Sequence, residues 1–284
     1  MTTKASGARW RRMVRDQWSQ AAYAWEHWES STLNGVAPVV PVMLRALELA
    51  PGQRVLDFAC GTGEPALAIA RFVEPRGRVT GIDVAGPMIE VARRRAKVLG
   101  IRNADFRRGD IERWRKRGAF DRVSARFGIM FCADVPLALA NIRATLKPRG
   151  RVVLAVWGEI DRNPMVMAAA AAIKPFLPAP PPEPETTPHP FRFHRPGRLE
   201  RLMRAAGFRD VRTSEVPVAA QYSEADDYVE QVLMMAAPIR AIYDTLKPAS
   251  RRRVRERLRR VALGHRSGHA FRIPGLARVV SARR

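Results

Sequence analysis

Cysteine is scarce. Cys60 and Cys132 are the only two in 284 residues, too few for a disulfide framework or a four-cysteine zinc site. No apolar run approaches the roughly 20 residues that a membrane-spanning helix needs. The basic stretch 1–15 lacks the apolar segment of a secretory signal. These absences point to a soluble, reduced, cytoplasmic protein. There is no internal repeat, and no pair among the five histidines has metal-ligand spacing, so no metal is expected. Acid is short as well: 27 Asp and Glu stand against 50 Lys and Arg, a net charge of +23. Lysine is rarer still, 6 against 44 Arg. Such a surplus ordinarily points to nucleic acid or an anionic membrane. The skew to arginine, alongside abundant Ala and Pro, also fits a codon bias toward G and C, so charge alone does not name a partner. It is uneven: residues 251–284 hold 12 Arg and one Glu, read as a solvated arginine-rich helix that can also touch phosphates or anionic lipid.

What is present suits one large α/β unit or two small ones, with 46% hydrophobic residues to build a core. Large side chains from Trp10 to Trp28 suggest a helix without one clean stripe, and Pro38 to Leu49 suggests a second. From Arg54 a rhythm sets in. Arg54–Ala59, Arg78–Asp83, Ala104–Arg107, Phe120–Phe127 and Arg151–Trp157 read as strands. Pro65–Phe72, Pro87–Leu99 and Val135–Thr145 read as the helices between them, with Leu146–Gly150 as a turn. Alternation of this kind predicts a doubly wound parallel sheet covered on both faces. Beyond Trp157 the pattern changes. Helices are expected at Pro164–Ile173, Pro196–Gly207, Glu224–Leu246 and Ser250–Leu263, and a strand at Phe208–Val218. A final hairpin arm bends at Pro274-Gly275 before a strand Ala277–Ala282. Residues 175–190 hold eight prolines and exclude a regular element.

The strongest signal is Val55-Leu-Asp-Phe-Ala-Cys-Gly61-Thr-Gly63-Glu-Pro-Ala66, a strand running into a glycine turn and then a helix. Glycine permits positive φ and lets a ligand approach the backbone. In an open α/β sheet such a turn lies at the carboxyl end of the first strand, where ligands bind. Gly61-x-Gly63-x-x-Ala66 also matches the dinucleotide fingerprint. Asp83, 20 residues past Gly63, suits a ribose in NAD and S-adenosylmethionine sites alike. Three features separate the two. Asp57 lies four residues before Gly61, where a buried carboxylate favours an ammonium group and repels a pyrophosphate. Gly109-Asp110-Ile111 follows the third strand and can meet an adenine amino group. Leu146-Lys-Pro-Arg-Gly150 precedes the fifth strand as a turn.

On these motifs the chain resembles the class I S-adenosylmethionine-dependent methyltransferases, most of all the ubiquinone/menaquinone-biosynthesis (methyltransferase type 11) small-molecule branch. The resemblance covers residues 50–157 well, with further pieces at 199–208 and 272–284. It implies a Rossmann-like seven-stranded sheet with an antiparallel last strand. It implies a cofactor, S-adenosyl-L-methionine, held by Asp57, Gly61, Thr62, Gly63, Asp83, Met88, Asp110, Ile111, Phe127 and Gly128. Residues 1–50 would form an N-terminal helical lid. Residues 51–284 would form the methyltransferase domain, with cap insertions at about 158–195 and 223–262.

Methyl transfer is an in-line displacement for which the protein supplies position and a dry pocket. A general base is needed only for a neutral hydroxyl or carbon acid, and His27, in the expected lid, is the candidate; His189 and His194 flank the proline-rich loop. After the fourth strand the chain reads Phe127-Gly-Ile-Met-Phe-Cys132. It lacks the Asn/Asp-Pro-Pro-aromatic motif of base N-methylation, and Cys132 does not follow Pro as a cytosine-attacking cysteine would. Tyr23, Trp28, Met130 and Phe131 are the expected acceptor contacts. The reading is O- or C-methylation of a small, mostly hydrophobic molecule such as a quinone, polyketide, isoprenoid or lipid precursor. The alternatives are a phospholipid headgroup N-methyltransferase in peripheral contact with an anionic membrane, an RNA methyltransferase, an NAD-dependent reductase, and a noncatalytic cofactor binder.

Overall fold

The computed structural model describes residues 4–28, 35–114, 116–177, 183 and 185–284; part of the proline-rich stretch 175–190 lies outside them. The strands are β1 (Arg54–Phe58), β2 (Arg78–Asp83), β3 (Ala104–Arg108), β4 (Phe120–Arg126), β5 (Leu146–Trp157), β6 (Arg209–Tyr222), β7 (Arg266–Ser267) and β8 (Ala270–Arg283). They form one sheet in the order β3-β2-β1-β4-β5-β8-β6, with two-residue β7 beside β8. β1 to β5 run parallel, and β8 is antiparallel to both β5 and β6. The sheet is therefore the expected doubly wound one with an antiparallel C-terminal strand. Its central strands carry apolar side chains on both faces because helices cover both: Val55, Leu56, Asp57 and Phe58 are all buried.

The helices are α1 (Lys4–His27), α2 (Val39–Leu47), α3 (Ala66–Val73), α4 (Gly86–Val98), α5 (Val135–Thr145), α6 (Pro164–Ile173), α7 (Arg198–Ala205), α8 (Ala225–Met235), α9 (Ala237–Thr245) and α10 (Pro248–Leu263). Three expectations need correction. Leu146–Gly150 is not a separate turn: it is the start of β5, with a register shift between Phe120 and Arg122 and a left-handed Arg149, φ 61°. The expected helix 224–246 is two, broken at Ala236 (φ −91°, ψ 74°), just before Pro238. Pro274-Gly275 does not bend the chain. β8 runs straight through it, because at Pro274 the strand bonds to β6 only and needs no donor on its other side.

The main core lies between the sheet and α2 to α5. A second core joins α6, α8, α9 and α10 to the outer halves of β6 and β8, with Tyr228, Val254, Leu258 and Ile273 buried at its centre. α1 lies against α4 and reaches α8 and α9. Among the described residues no helix is long and apolar enough to cross a membrane.

The turn from β5 to α6 is pinned by one buried side chain. Asn163 accepts the Leu276 N–H at 2.9 Å and donates to the carbonyls of Leu276 at 3.1 Å and Glu159 at 2.8 Å. It thereby satisfies the backbone of β8 where β5 ends. Asn163→Leu leaves these groups without that partner and lowers the unfolding free energy by about 2–3 kcal/mol, read as a reduced denaturation midpoint at unchanged m-value.

Candidate functional site

Three loops meet at the carboxyl ends of β1, β2 and β4. In the loop after β1, Ala59 (φ 51°), Gly61 (φ 51°) and Gly63 (φ 116°) turn the backbone through left-handed conformations. The surroundings of the glycines differ. A Cβ on Gly61 meets nothing within 4 Å, so its open side can face a ligand. One on Gly63 would lie 2.7 Å from Leu67 of α3, so Gly63 is demanded by packing of the loop on its own helix.

Asp83 fastens this loop to β2. Its Oδ2 accepts the Gly61 N–H at 3.0 Å and its Oδ1 the Ala85 N–H at 2.9 Å. The Asp83 carbonyl accepts the Gly109 N–H at 2.9 Å, which draws the loop after β3 alongside. There Asp110 accepts the Glu112 N–H at 2.9 Å, and Ile111 is buried with its carbonyl bonded to Asn141. Burial pushes the Asp83 carboxyl up, against the pull of the Ala85 and Gly61 amides.

Asp57 is fully buried beneath the loop. Ser124 of β4 donates to its Oδ1 at 2.6 Å, while Oδ2 has no hydrogen-bond partner. Burial pushes its carboxyl up to about 7, opposed by Ser124, Arg126 and the Ala66 amide. Arg95 of α4 donates to the Thr62 carbonyl at 2.7 Å and approaches Glu64 at 3.6 Å. An orphaned, buried carboxylate oxygen under a glycine loop calls for a cation or a hydrogen-bond donor. The ammonium of a methionine moiety meets that need and a pyrophosphate does not.

The loop after β4 closes the site from the other side. Phe127 (φ 57°) stacks on Trp157 of β5, ring centroids 4.1 Å apart and 10° from parallel. Gly128 touches the first loop: a Cβ there would lie 2.3 Å from the Ala59 Cβ. Phe131 meets Trp18 of α1 edge-on at 5.3 Å. α1 covers the start of α4 with Trp18, Ala21, Ala22 and Trp25 over Ala85 and Met88. Its Arg11 bonds at 3.1 Å to Glu112, whose carboxylate also accepts the Ala133 and Asp134 amides. Trp28 donates to the Met234 sulfur at 3.3 Å, joining α1 to α8.

Asp57, Gly61, Thr62, Gly63, Asp83, Met88, Asp110, Ile111, Phe127 and Gly128 thus lie on the ends of β1 and β2, the start of α4 and the adjoining loops, all on the carboxyl side of the sheet. The expected acceptor contacts divide. Phe131 and Trp28 pack between elements. Met130 is fully buried in the main core, because the turn after β4 directs it inward. Tyr23 is 71% exposed and stacks on His27, on the solvent side of α1. His189 is the histidine that reaches the post-β4 turn: its N–H bonds to the Met130 carbonyl at 3.3 Å. Its Nδ1 accepts the Phe191 N–H at 3.1 Å, which leaves the neutral ring with its proton on Nε2, a donor rather than a base. Sequence reasoning missed Ala59, Ser124, Arg126, Trp18 and Trp157. Ser124 and Trp157 were readable only as strand residues, since their roles depend on the neighbouring strand. Among the described residues no cluster of His, Cys, Asp and Glu is placed to hold a metal.

Sheet order, glycine loop and flanking acids define the class I methyltransferase fold, and comparison with known proteins agrees. Residues 55–150 match a family of methyltransferase domains. The chain is 29% identical to nocamycin O-methyltransferase of Saccharothrix syringae, over 82% of this chain and 87% of that one. It is 31% identical to demethylmenaquinone methyltransferase of Bacillus cytotoxicus over 39% of this chain and 47% of that enzyme. For several curated relatives the match spans only 34% to 47% of their length. The solved structure of the YcgJ protein from Bacillus subtilis superposes with a TM-score of 0.59 at 18% identity, covering 86% of this chain and 97% of that one. Over its sheet and glycine loop the chain is thus similar to S-adenosylmethionine-dependent methyltransferases and has their Rossmann-like fold.

Two outcomes follow for the site. The folded Asp57 carboxyl is raised from 3.8 to about 7, so the folded state holds a proton that the unfolded chain has released. That contribution to stability is full below about pH 4 and is lost as pH rises to about 7. Asp57→Asn therefore gains stability relative to the parent as pH climbs through this window, and a constant difference from pH 4 to 7 contradicts the assignment. Gly128→Ala collides with Ala59 and costs about 1–3 kcal/mol of stability. Adding Ala59→Gly restores most of it in a double-mutant cycle by thermal denaturation.

Proposed function

We propose that this chain transfers a methyl group from S-adenosylmethionine to an oxygen or carbon of a small, mostly apolar acceptor of the quinone, polyketide, isoprenoid or lipid-precursor kind. The observation that carries the reading is the orphaned Asp57 oxygen beneath a glycine loop that Asp83 and Asp110 flank. Gly61, Thr62 and Gly63 would run under the methionine moiety, with Asp57 toward its ammonium. Asp83 has lone pairs left for the ribose hydroxyls. Asp110 and the Ile111 amide would meet the adenine edge, with Met88 packed against the ring and Phe127 and Gly128 beside the sulfur.

When bound, the cofactor supplies a methyl group activated by a sulfonium. The chain's own part is to position the acceptor and keep water out. The aromatic surfaces of Phe127, Trp157, Phe131 and Trp18 favour an apolar acceptor. α1, laid over Ala85 and Met88, would act as the lid, with residues 158–195 and 223–262 as the cap. His189 would offer its Nε2–H to an acceptor oxygen near the post-β4 turn. The nocamycin O-methyltransferase relative, which matches through the cap as well as the core, supports O-methylation.

Equilibrium titration tests the reading. S-adenosylhomocysteine binds and NAD does not, and Asp83→Ala weakens the former by about 1–3 kcal/mol through loss of charge-assisted hydrogen bonds. Binding of NAD in place of S-adenosylhomocysteine, or unchanged affinity in a folded Asp83→Ala protein, overturns it.

A further inference from the structure

β6 and β8 run further than the rest of the sheet. β8 pairs with β5 only as far as Ala277, opposite Trp157. Its residues 270–276 pair with β6 and, at the tip, with β7. This projecting ribbon has two unlike faces, as strand alternation requires. One face, with Ala220, Phe271 and Ile273, is buried under the helices of the second core. The other turns Pro217, Gln221, Arg272 and Pro274 outward, and all four are exposed.

Over that outer face lies a cavity of about 520 Å³, floored by Pro217, Ala219 and Pro274 and edged by Arg162, His265 and Arg272. A second cavity of about 180 Å³ adjoins it and shares Pro217, Ala219 and Arg272. The larger falls within the roughly 300–1,000 Å³ usual for small-ligand sites. Its charge is one-sided. Arg162 is tied to Glu215 at 3.0 Å, and Asp161 is the one carboxylate in the lining. The Arg272 guanidinium has no hydrogen bond or ion pair among the described residues. His265 Nδ1 lies 2.8 Å from the Val261 carbonyl. A carbonyl only accepts, so Nδ1 holds the ring proton and Nε2 is left without a backbone partner. The glycine loop is elsewhere: β1 and β8 are three strand steps apart, roughly 14 Å.

We propose that this groove is a binding site for an amphipathic anion. A carboxylate or phosphate group sits against Arg272 and His265, and its apolar body lies along the proline floor. An unpaired guanidinium gives such a head group a charge-assisted, two-pronged contact. Two prolines and an alanine on one face of two paired strands offer a surface with few competing donors, which suits hydrocarbon or a ring.

The test needs no cofactor and no turnover. The full chain is titrated calorimetrically with octanoate, octyl phosphate and, as the neutral control, octanol. At least one of the anions binds, and octanol binds roughly tenfold more weakly or not at all. The tighter of the two anions identifies the head group as carboxylate or phosphate. Arg272→Gln, a change on an exposed strand face, lowers the anion affinity roughly tenfold and leaves S-adenosylhomocysteine affinity and thermal midpoint as they were. Failure of both anions to bind, equal binding of octanol, or an Arg272→Gln protein that binds the anion like the parent each overturns the proposal.

Discussion

The carboxylate of Asp83 is the constraint on which the site hangs. It sits at the end of β2 and takes one backbone N–H on each oxygen, from Gly61 on one side and Ala85 on the other. The glycine loop and the start of α4 are thereby placed relative to the sheet by a single side chain. A carboxylate offers about four lone-pair directions, so two remain after both amides are bonded. Asparagine would not replace it, since its amide nitrogen would set a donor against one of these N–H groups. The same residue that builds the loop thus keeps acceptors to offer a ligand, and its burial is tolerable because two amides face it.

Arginine explains much of the rest, and not through surface charge alone. Arg122 binds the Leu47 and Glu48 carbonyls at the C-terminal end of α2, and Arg93 grips the Phe106 carbonyl of β3 through two nitrogens. Arg95 holds the Thr62 carbonyl of the glycine loop. Arg192 and Arg278 reach the carbonyls of Cys132 and Phe193, so the 189–193 segment is fixed over the post-β4 turn. A planar fork with five donors can satisfy two acceptors at once, which a lysine ammonium does less well. With 50 bases against 27 acids, acids cannot pair them all, and backbone carbonyls take up part of the excess. The high net charge is therefore partly a structural habit of this chain rather than a pointer to nucleic acid.

Where the sequence was legible, one element carried its own signal. β1 and the second half of β5 showed because strands covered on both faces are apolar almost throughout, β2 to β4 because they alternate with helices, and the glycine loop because its residues are contiguous. α1 was not: its buried stripe is Trp18, Ala21, Ala22 and Trp25, a regular helical spacing in which two of four members are alanine, so the large residues alone looked scattered. Tyr23 and His27 drew attention by size and chemistry, yet they fall on the opposite side of that helix. Ala59 was unreadable for a different reason. Its methyl group matters because Gly128, 69 positions on, leaves room for it, and no local pattern marks a contact between the ends of two strands. Pro274-Gly275 misled because a turn dipeptide is judged by its neighbours in sequence, whereas here the missing neighbour strand makes proline harmless.

The extension of β6 and β8 past β5 ties the helices of the second core to the sheet. Had β8 stopped at Ala277, opposite the end of β5, the second core would have lost Phe271 and Ile273, against which α10 packs with Val254 and Leu258. A two-stranded ribbon is marginal in water unless one face is covered, so helices on its inner face are a condition of its existence. The outer face carries no such obligation. There, prolines that would be costly in a central strand are tolerated, and an arginine can stand without a carboxylate. Asn163 marks the junction, bonding Leu276 where β8 leaves β5, with α6 starting at the next residue. The same few residues thus set the position of α6 and the floor of the outer groove, so the two surfaces are mechanically one piece.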